Sequence, residues 1–281
     1  MNYFCFANNK ILHKNDVKVG VNDLVMLRGY GVFDYLRTYN GAPFRINYYL
    51  DRFEKSVNGM SLKLLLSKKQ ITFIVHRLLK MNKASSKKEF GIRLLLTGGY
   101  SLDSFLPSVK PNLFILIEDL PQYPAWWSEK GVKLILHEHA REMAGVKTIN
   151  YLTAIRLAEE RRKNKAQDTL YYSKETILET TRNNFFLFHK NTLVTTDKHI
   201  LLGVTRRIIL EIAKDKFKIE VRSIKLKELT TSTECFITGT TRGITPVVKV
   251  GAIKIGNGKP GKNTQLLMKL FDEQIQSNCS V

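Results

Sequence analysis

Cysteine is scarce in this chain: three in 281 residues, at Cys5, Cys235 and Cys279. They are far apart, odd in number and in no metal-ligand spacing. That argues against a disulfide framework and points to a reducing compartment, with the cytoplasm as the expected location. No apolar run approaches the ~18 residues of a membrane-spanning helix, so no membrane span is expected. The stretch from Met1 to Lys10 lacks the basic and long apolar regions of a secretory leader. There is no internal repeat and no low-complexity segment. Acidic residues are in deficit, 25 against 45 lysines and arginines, for a formal charge of +20. Such a surplus invites a basic nucleic-acid-binding protein as the alternative outside enzymology. The basic residues are dispersed, however, in clusters such as Lys68-Lys69, Lys87-Lys88, Arg161-Arg162-Lys163 and Lys214 to Lys218. With no zinc-finger spacing and no aromatic–basic repeat, a solvated surface accounts for them, and specific nucleic-acid binding is not expected.

What is present supports real cores, with 43% hydrophobic residues and enough length for two domains. Asn22-Asp23-Leu24 reads as a turn feeding a strand that runs through Arg28 to Tyr39, and Asn40-Gly41 as a hairpin turn. Asn47 is the expected N-cap of a helix with Leu50, Phe53 and Val57 on one face, followed by a helix over Ile71 to Leu79. Gly91 to Thr97 and Asn112 to Ile117 read as buried strands. Pro121 to Trp127 breaks both periods. The expected organisation is therefore a domain over 1–120, a linker over 121–130 and a larger domain over 131–281. The larger domain opens with a strand from Val132 to His137 and a helix from Tyr151 to Lys163, with Leu152, Ile155 and Ala158 facing inward. Short strands follow at Thr169–Tyr172, Ile177–Glu179, Phe185–Phe188, Thr192–Thr195, Glu220–Arg222, Cys235–Ile237 and Val247–Val250. Lys190-Asn191 supplies a tight connection, and helices span Thr205 to Lys214 and Gln265 to Gln276.

Lys147, in Gly145-Val146-Lys147-Thr148-Ile149-Asn150-Tyr151-Leu152, carries the first chemical signal. A lysine just before a helix start opposes the helix dipole. A lysine whose neighbourhood removes its proton can attack an aldehyde. Glu179 is the second signal: a carboxylate beside a pyridine nitrogen keeps that nitrogen protonated and the ring an electron sink. Gly203-Val204-Thr205 opens a helix and offers amides and a hydroxyl to a phosphate, Gly239-Thr240-Thr241 offers a second set, and Arg52 offers charge. His137 and His139 share a strand face, but no third ligand follows, so no metal is expected.

Taken in order, these motifs resemble the fold-type IV pyridoxal-phosphate enzymes over residues 23 to 277. The resemblance is carried by Leu50-Asp51-Arg52-Phe53, Lys147 with Asn150-Tyr151-Leu152, Glu179 with Asn184-Phe185-Phe186, Leu201 to Arg206, and Thr240-Thr241 followed by Ile244-Thr245-Pro246. It implies a two-domain α/β fold: a small α/β sandwich domain and a larger β-barrel-like domain with helices. It further implies pyridoxal 5′-phosphate as cofactor and Lys147 as the Schiff-base lysine and proton shuttle. Glu179 would be the partner of the ring nitrogen, Tyr151 of the ring hydroxyl, and Leu201 the apolar residue on the ring face. Arg52, Val204, Thr205, Thr240 and Thr241 would cradle the phosphate. Amino acid and 2-oxo acid substrates such as 2-oxoglutarate, and a homodimer with the active site at the subunit interface, are expected from the same resemblance.

The substrate pattern departs from both well-marked branches. The Arg-x-His carboxylate trap of the D-amino acid enzymes is missing from Thr97 to Asp103. The aromatic-Glu-Gly-x-Arg element of the branched-chain enzymes reads Phe33-Asp34-Tyr35-Leu36-Arg37. Arg242-Gly243 stands where many relatives have an acidic residue. Arg28, Phe33, Arg37 and Arg93 are the candidate substrate residues, with Leu102 to Leu106 shaping the side-chain pocket. Bidentate carboxylate binding suits arginine at positions 28 and 93, although a salt bridge inside the first domain is the plainer reading of each. The expectation is a D-amino acid transaminase with a non-standard carboxylate site; a branched-chain L-amino acid aminotransferase and an aminodeoxychorismate lyase on the same scaffold are the alternatives.

Overall fold

A computed structural model describes residues 3–84, 87–107 and 110–279. The chain separates into two compact units. One comprises residues up to 121 together with 146–150; the other comprises 122–145 and 151–277.

The first unit is a six-stranded sheet under two helices. Its elements are β1 (Phe4–Ala7), β2 (Lys10–His13), α1 (Leu24–Arg28), β3 (Gly31–Tyr39), β4 (Ala42–Pro43), α2 (Ile46–Gly59), α3 (Lys68–Met81), β5 (Phe90–Thr97) and β6 (Leu113–Asp119). The strands lie in the order β2-β1-β6-β5-β3-β4, and all neighbours are antiparallel. Alternation along β3 decides which face is covered. Val32, Asp34, Leu36 and Thr38 are buried, while Phe33, Tyr35, Arg37 and Tyr39 stay partly open. Ile71, Val75, Leu78 and Leu79 bury one side of α3, whose start is closed by a capping box between Ser67 and Gln70. Asn40 and Gly41 take φ of 51° and 75°, the left-handed pair that a two-residue hairpin between β3 and β4 needs.

In the second unit a sheet closes on itself. Its elements are α4 (Trp126–Glu129), β7 (Val132–Glu138), α5 (Leu152–Arg156), α6 (Ala158–Lys163), β8 (Asp168–Ser173), β9 (Thr176–Thr180), β10 (Asn184–His189), β11 (Thr192–Thr195), α7 (Val204–Ala213), β12 (Lys218–Val221), β13 (Ile224–Lys225), β14 (Glu234–Gly239), β15 (Gly243–Val250), β16 (Ile253–Lys254) and α8 (Lys262–Cys279). β10, β14, β15, β7, β8 and β9 pair in turn, and β9 meets β10 again through Glu179 and Asn184, completing a barrel. Val132, Leu134, Leu170, Phe185, Leu187, Ile237 and Val247 belong to its apolar core. Phe186 and Phe236, cross-strand partners, stack at 4.8 Å and 7°.

The α/β class and the barrel-like larger part agree with expectation. Several local features differ. The helix expected over Tyr151 to Lys163 breaks at Leu157 into α5 and α6, and Leu157 is its buried anchor. Leu152 and Ile155, expected inside, are 64% and 70% exposed, and Ala158 is exposed too. The apolar spacing was real, but it faces away from this chain's own core. Arg45, at φ 50°, caps α2 in place of Asn47 and makes no side-chain cap bond. Asp23 caps the short helix α1, accepting from Val25 N, so Arg28 ends a helix rather than starting a strand. Segment 121–130 contains α4, and Trp127 packs against the second unit's core. Residues 146–150, expected inside the larger domain, cluster with the first unit.

Candidate active site

In the first unit the lysine segment is zipped onto the start of β3. Phe33 N donates to Lys147 O at 3.0 Å, Ile149 N donates to Gly31 O at 3.2 Å, and Thr148 bridges to Val32. Lys147 N donates to Ser56 Oγ on α2 at 3.0 Å. These bonds fix the lysine backbone, and they bring its Nζ to 4.5 Å from the Phe33 ring centroid. On the same open face Arg93 stacks between Phe33 and Tyr35, its guanidinium carbon 5.5 and 5.0 Å from the two centroids. Its fork is engaged by Glu118 on β6, with Nε–Oε1 at 2.8 Å and Nη2–Oε2 at 2.9 Å. The Tyr35 phenol lies across Gly91; a Cβ there would collide with its hydroxyl oxygen.

Arg52 forms a bidentate pair with the fully buried Asp34, Nε–Oδ2 at 2.9 Å and Nη2–Oδ1 at 2.7 Å. That pair sets the guanidinium's direction on α2. The remaining arginine candidates point elsewhere. Arg37 donates to Thr38 O and lies 4.0 Å over Tyr39. Arg28 is exposed and donates to the carbonyl of its neighbour Leu27. Leu102, Phe105 and Leu106 are exposed around a turn in which Asp103 accepts from Ser101, Phe105 and Leu106.

In the second unit the seam of the barrel holds Glu179, whose side chain is 6% exposed. Its Oε2 accepts from Leu201 N at 3.1 Å and Asn184 Nδ2 at 3.3 Å, and Oε1 faces Arg141 Nη1 at 3.5 Å. Asn184 also donates to Leu201 O at 2.7 Å. One side chain therefore orients the carboxylate and anchors the loop entering α7. Gly203 is the N-cap of α7, and the first-turn amides of Val204 and Thr205 have no carbonyl four residues earlier to bond. A Cβ at position 203 would collide with Asn184 Oδ1, so any larger residue there must displace Asn184. Thr240 and Thr241 form the turn between β14 and β15, with Arg242 N donating to Gly239 O at 3.3 Å. Tyr151 is the N-cap of α5.

Thus Glu179, Leu201 and Gly203, which leads into Val204 and Thr205, are gathered around Asn184 in one unit, while Phe33, Lys147 and Arg93 lie together in the other. Asn184, Arg141, Ser56 and Asp34 are the contributors that motif reading missed. Asn184 and Asp34 stand inside quoted motifs, but nothing in the spacing announces that Arg141 meets Glu179. His137 and His139 lie 6.5 Å apart beside Tyr171. Burial, then the neighbouring His137 and Arg141, lowers the His139 pKa. No cluster of three or more potential metal ligands occurs among the described residues.

The second unit's donors suit pyridoxal phosphate chemically: an oriented buried carboxylate for a pyridine nitrogen, and a glycine-capped helix start and a threonine turn for a phosphate. The family model for class IV amino-transferases matches residues 31–250, and the chain belongs to this family, the fold-type IV pyridoxal-phosphate enzymes. It is an aminotransferase of class IV. A D-alanine aminotransferase of Staphylococcus haemolyticus is 28% identical over 98% of this chain and 99% of its own length. A putative branched-chain-amino-acid aminotransferase of Methanocaldococcus jannaschii is also 28% identical, over 95% of each. Among solved structures, Escherichia coli branched-chain amino acid aminotransferase superposes with a TM-score of 0.91 at 22% identity, covering 98% of this chain and 95% of that one. No helix among the described residues is long and apolar enough to cross a membrane.

Proposed function

We propose that this enzyme transfers an amino group between an amino acid with an apolar side chain, a branched-chain L-amino acid foremost, and a 2-oxo acid such as 2-oxoglutarate. Pyridoxal 5′-phosphate is the proposed cofactor. When bound, it supplies an aldehyde and a protonated ring that draws negative charge from the substrate's α carbon. Arg52, Val204, Thr205, Thr240 and Thr241 are the residues that would hold its phosphate. Tyr151 would partner the ring hydroxyl, and Leu201 would pack on the ring. Glu179, fixed by Leu201 N–H and Asn184, would hold the proton on the ring nitrogen. The Lys147 amine would take the α proton as general base and deliver it, as general acid, to the cofactor's aldehyde-derived carbon.

The observation that carries this reading is the buried, doubly bonded carboxylate of Glu179 at the barrel seam. The preference for an apolar substrate rests on Phe33 near the Lys147 amine, with Tyr35 beside Arg93 and the charge of Arg93 engaged by Glu118. A D-amino acid transaminase is the second reading, supported by the likeness to the staphylococcal D-alanine enzyme. A homodimer is part of the proposal. Exposed Val21, Met26, Phe105 and Leu106 in the first unit, and Leu152 and Ile155 in the second, are the apolar surface it would cover. The buried free thiols of Cys5 and Cys235 suit the cytoplasm.

Borohydride reduction of the protein incubated with pyridoxal phosphate, followed by peptide mass mapping, should place the label on Lys147; a label elsewhere, or none, overturns the assignment. L-Leucine, L-valine, D-alanine and D-glutamate, each with a matching 2-oxo acid, then test the substrate. Turnover of the D-amino acids alone replaces the first reading by the second. Pyruvate released from aminodeoxychorismate without an acceptor would instead make the enzyme a lyase.

A further inference from the structure

We infer that Arg242 is a positioning residue for the cofactor phosphate: wedged against Tyr123 and Trp127, it fixes the Thr240–Thr241 turn. The inference rests on the assignment of Thr240 and Thr241 to the phosphate. The guanidinium carbon lies 4.5 Å from the Tyr123 ring centroid and 4.7 Å from that of Trp127. The two rings are 5.1 Å apart and inclined by 33°. The side chain is only 6% exposed, and its buried Nη1 has no hydrogen-bond partner. Asp168 Oδ2, the nearest carboxylate oxygen, is 3.9 Å away. That carboxylate already accepts from Thr180, Thr181, Asn183 and Thr169 N. The cation is therefore held chiefly by aromatic faces and by charge at a distance, not by a carboxylate fork.

This geometry reaches the turn in two ways. Arg242 N closes the turn on Gly239 O, and a Cβ at Gly239 would collide with Asn183 Oδ1, so the strand end is pressed onto the same polar cluster as Asp168. Tyr123 makes the second connection. Its ring lies against the Arg242 guanidinium while its hydroxyl lies 3.2 Å from Thr241 Oγ1. Displacing the guanidinium frees the ring, and the ring carries the hydroxyl that orients Thr241. Burial pushes the Tyr123 phenol up, but the Thr241 hydroxyl, Arg242 and Arg182 outweigh it, leaving the pKa below the ordinary phenol value.

Equilibrium titrations with pyridoxal phosphate and with pyridoxal, which lacks the phosphate, separate a phosphate effect from general loosening. Arg242→Met should raise the Kd for pyridoxal phosphate about tenfold while that for pyridoxal changes less than about twofold, the size expected for one desolvated cation–π contact. Arg242→Lys should recover part of the loss. Tyr123→Phe keeps the stack and removes only the hydroxyl, so it should lower the phosphate preference in the same direction; if Arg242→Met does not fold, Tyr123→Phe decides. Equal weakening for both ligands, or an unchanged preference in the folded variants, overturns the inference. Thr241→Ala is the control. If it leaves the phosphate preference intact, the phosphate assignment itself fails; if it lowers that preference and the Arg242 and Tyr123 variants do not, only the role of Arg242 fails.

Discussion

Replacing Gly203 by alanine should destabilise the enzyme, although the backbone there tolerates alanine. Gly203 has φ −66° and ψ 142°, an ordinary extended conformation. At such a site alanine usually stabilises by ~0.4–1 kcal/mol, through a less entropic unfolded chain. Here the new methyl collides with Asn184 Oδ1. Non-bonded atoms settle at ~3.5 Å or more, so Asn184 must retreat by more than about 1 Å. Asn184 is buried, and its Nδ2 bonds Leu201 O at 2.7 Å and Glu179 Oε2 at 3.3 Å. Losing those bonds in a dry site costs about 1–3 kcal/mol. The net loss is about 1–2 kcal/mol, a fall in Tm of about 2–8 °C for a chain of this size. Calorimetry of Gly203→Ala, Asn184→Ala and the double variant checks it. With residue 184 truncated the collision disappears, and adding the alanine at 203 should be neutral or slightly stabilising. A higher Tm for Gly203→Ala in the wild-type background would refute the argument.

Glu179→Gln retains an acceptor for Leu201 N but loses the charge; transamination should fall about 10²–10³-fold with the fold intact, measured by steady-state kinetics alongside circular dichroism. Burial raises the Glu228 carboxyl, but Arg222, Lys225 N and His189 outweigh it and hold the pKa at about 2, against an ordinary 4.5. A depressed folded pKa contributes stability above pH 4.5 that is lost as the pH falls towards 2. The stability gap between wild type and Glu228→Gln, read by urea denaturation, should therefore shrink from pH 7 towards pH 3; a constant gap would contradict the assignment. The Tyr171 hydroxyl is buried without a hydrogen-bond partner, and burial, with Asp168 adding, pushes its pKa up to about 12. Tyr171→Phe should be stabilising by about 1 kcal/mol, and a destabilised variant in a thermal melt would show that the hydroxyl is bonded after all.

The legible parts of this molecule are those set by local chemistry. Asn40-Gly41 announces its hairpin because both residues accept the left-handed region, and Leu50, Phe53 and Val57 mark the inner face of α2 by spacing alone. The helix start after Gly203 and the strand ending near Glu179 were readable from local pattern. Arg93 and Glu118, 25 residues apart, meet only because β5 and β6 pair, and no local signal announces that. Arg141, in the loop after β7, meets Glu179 across 38 residues, and no local signal announces that either. Leu152 and Ile155 misled in the opposite sense: helical spacing shows that a face is apolar, not what covers it.

Tyr35 and Gly91 bear on how this family member can change. While tyrosine occupies position 35, every side chain at 91 meets its hydroxyl. A mutant lineage therefore cannot enlarge residue 91 first without distorting the sheet. It must first shrink residue 35, which removes one of the two rings that sandwich Arg93. The two sites are epistatic, and the permitted order of substitutions runs through an intermediate with a loosened arginine.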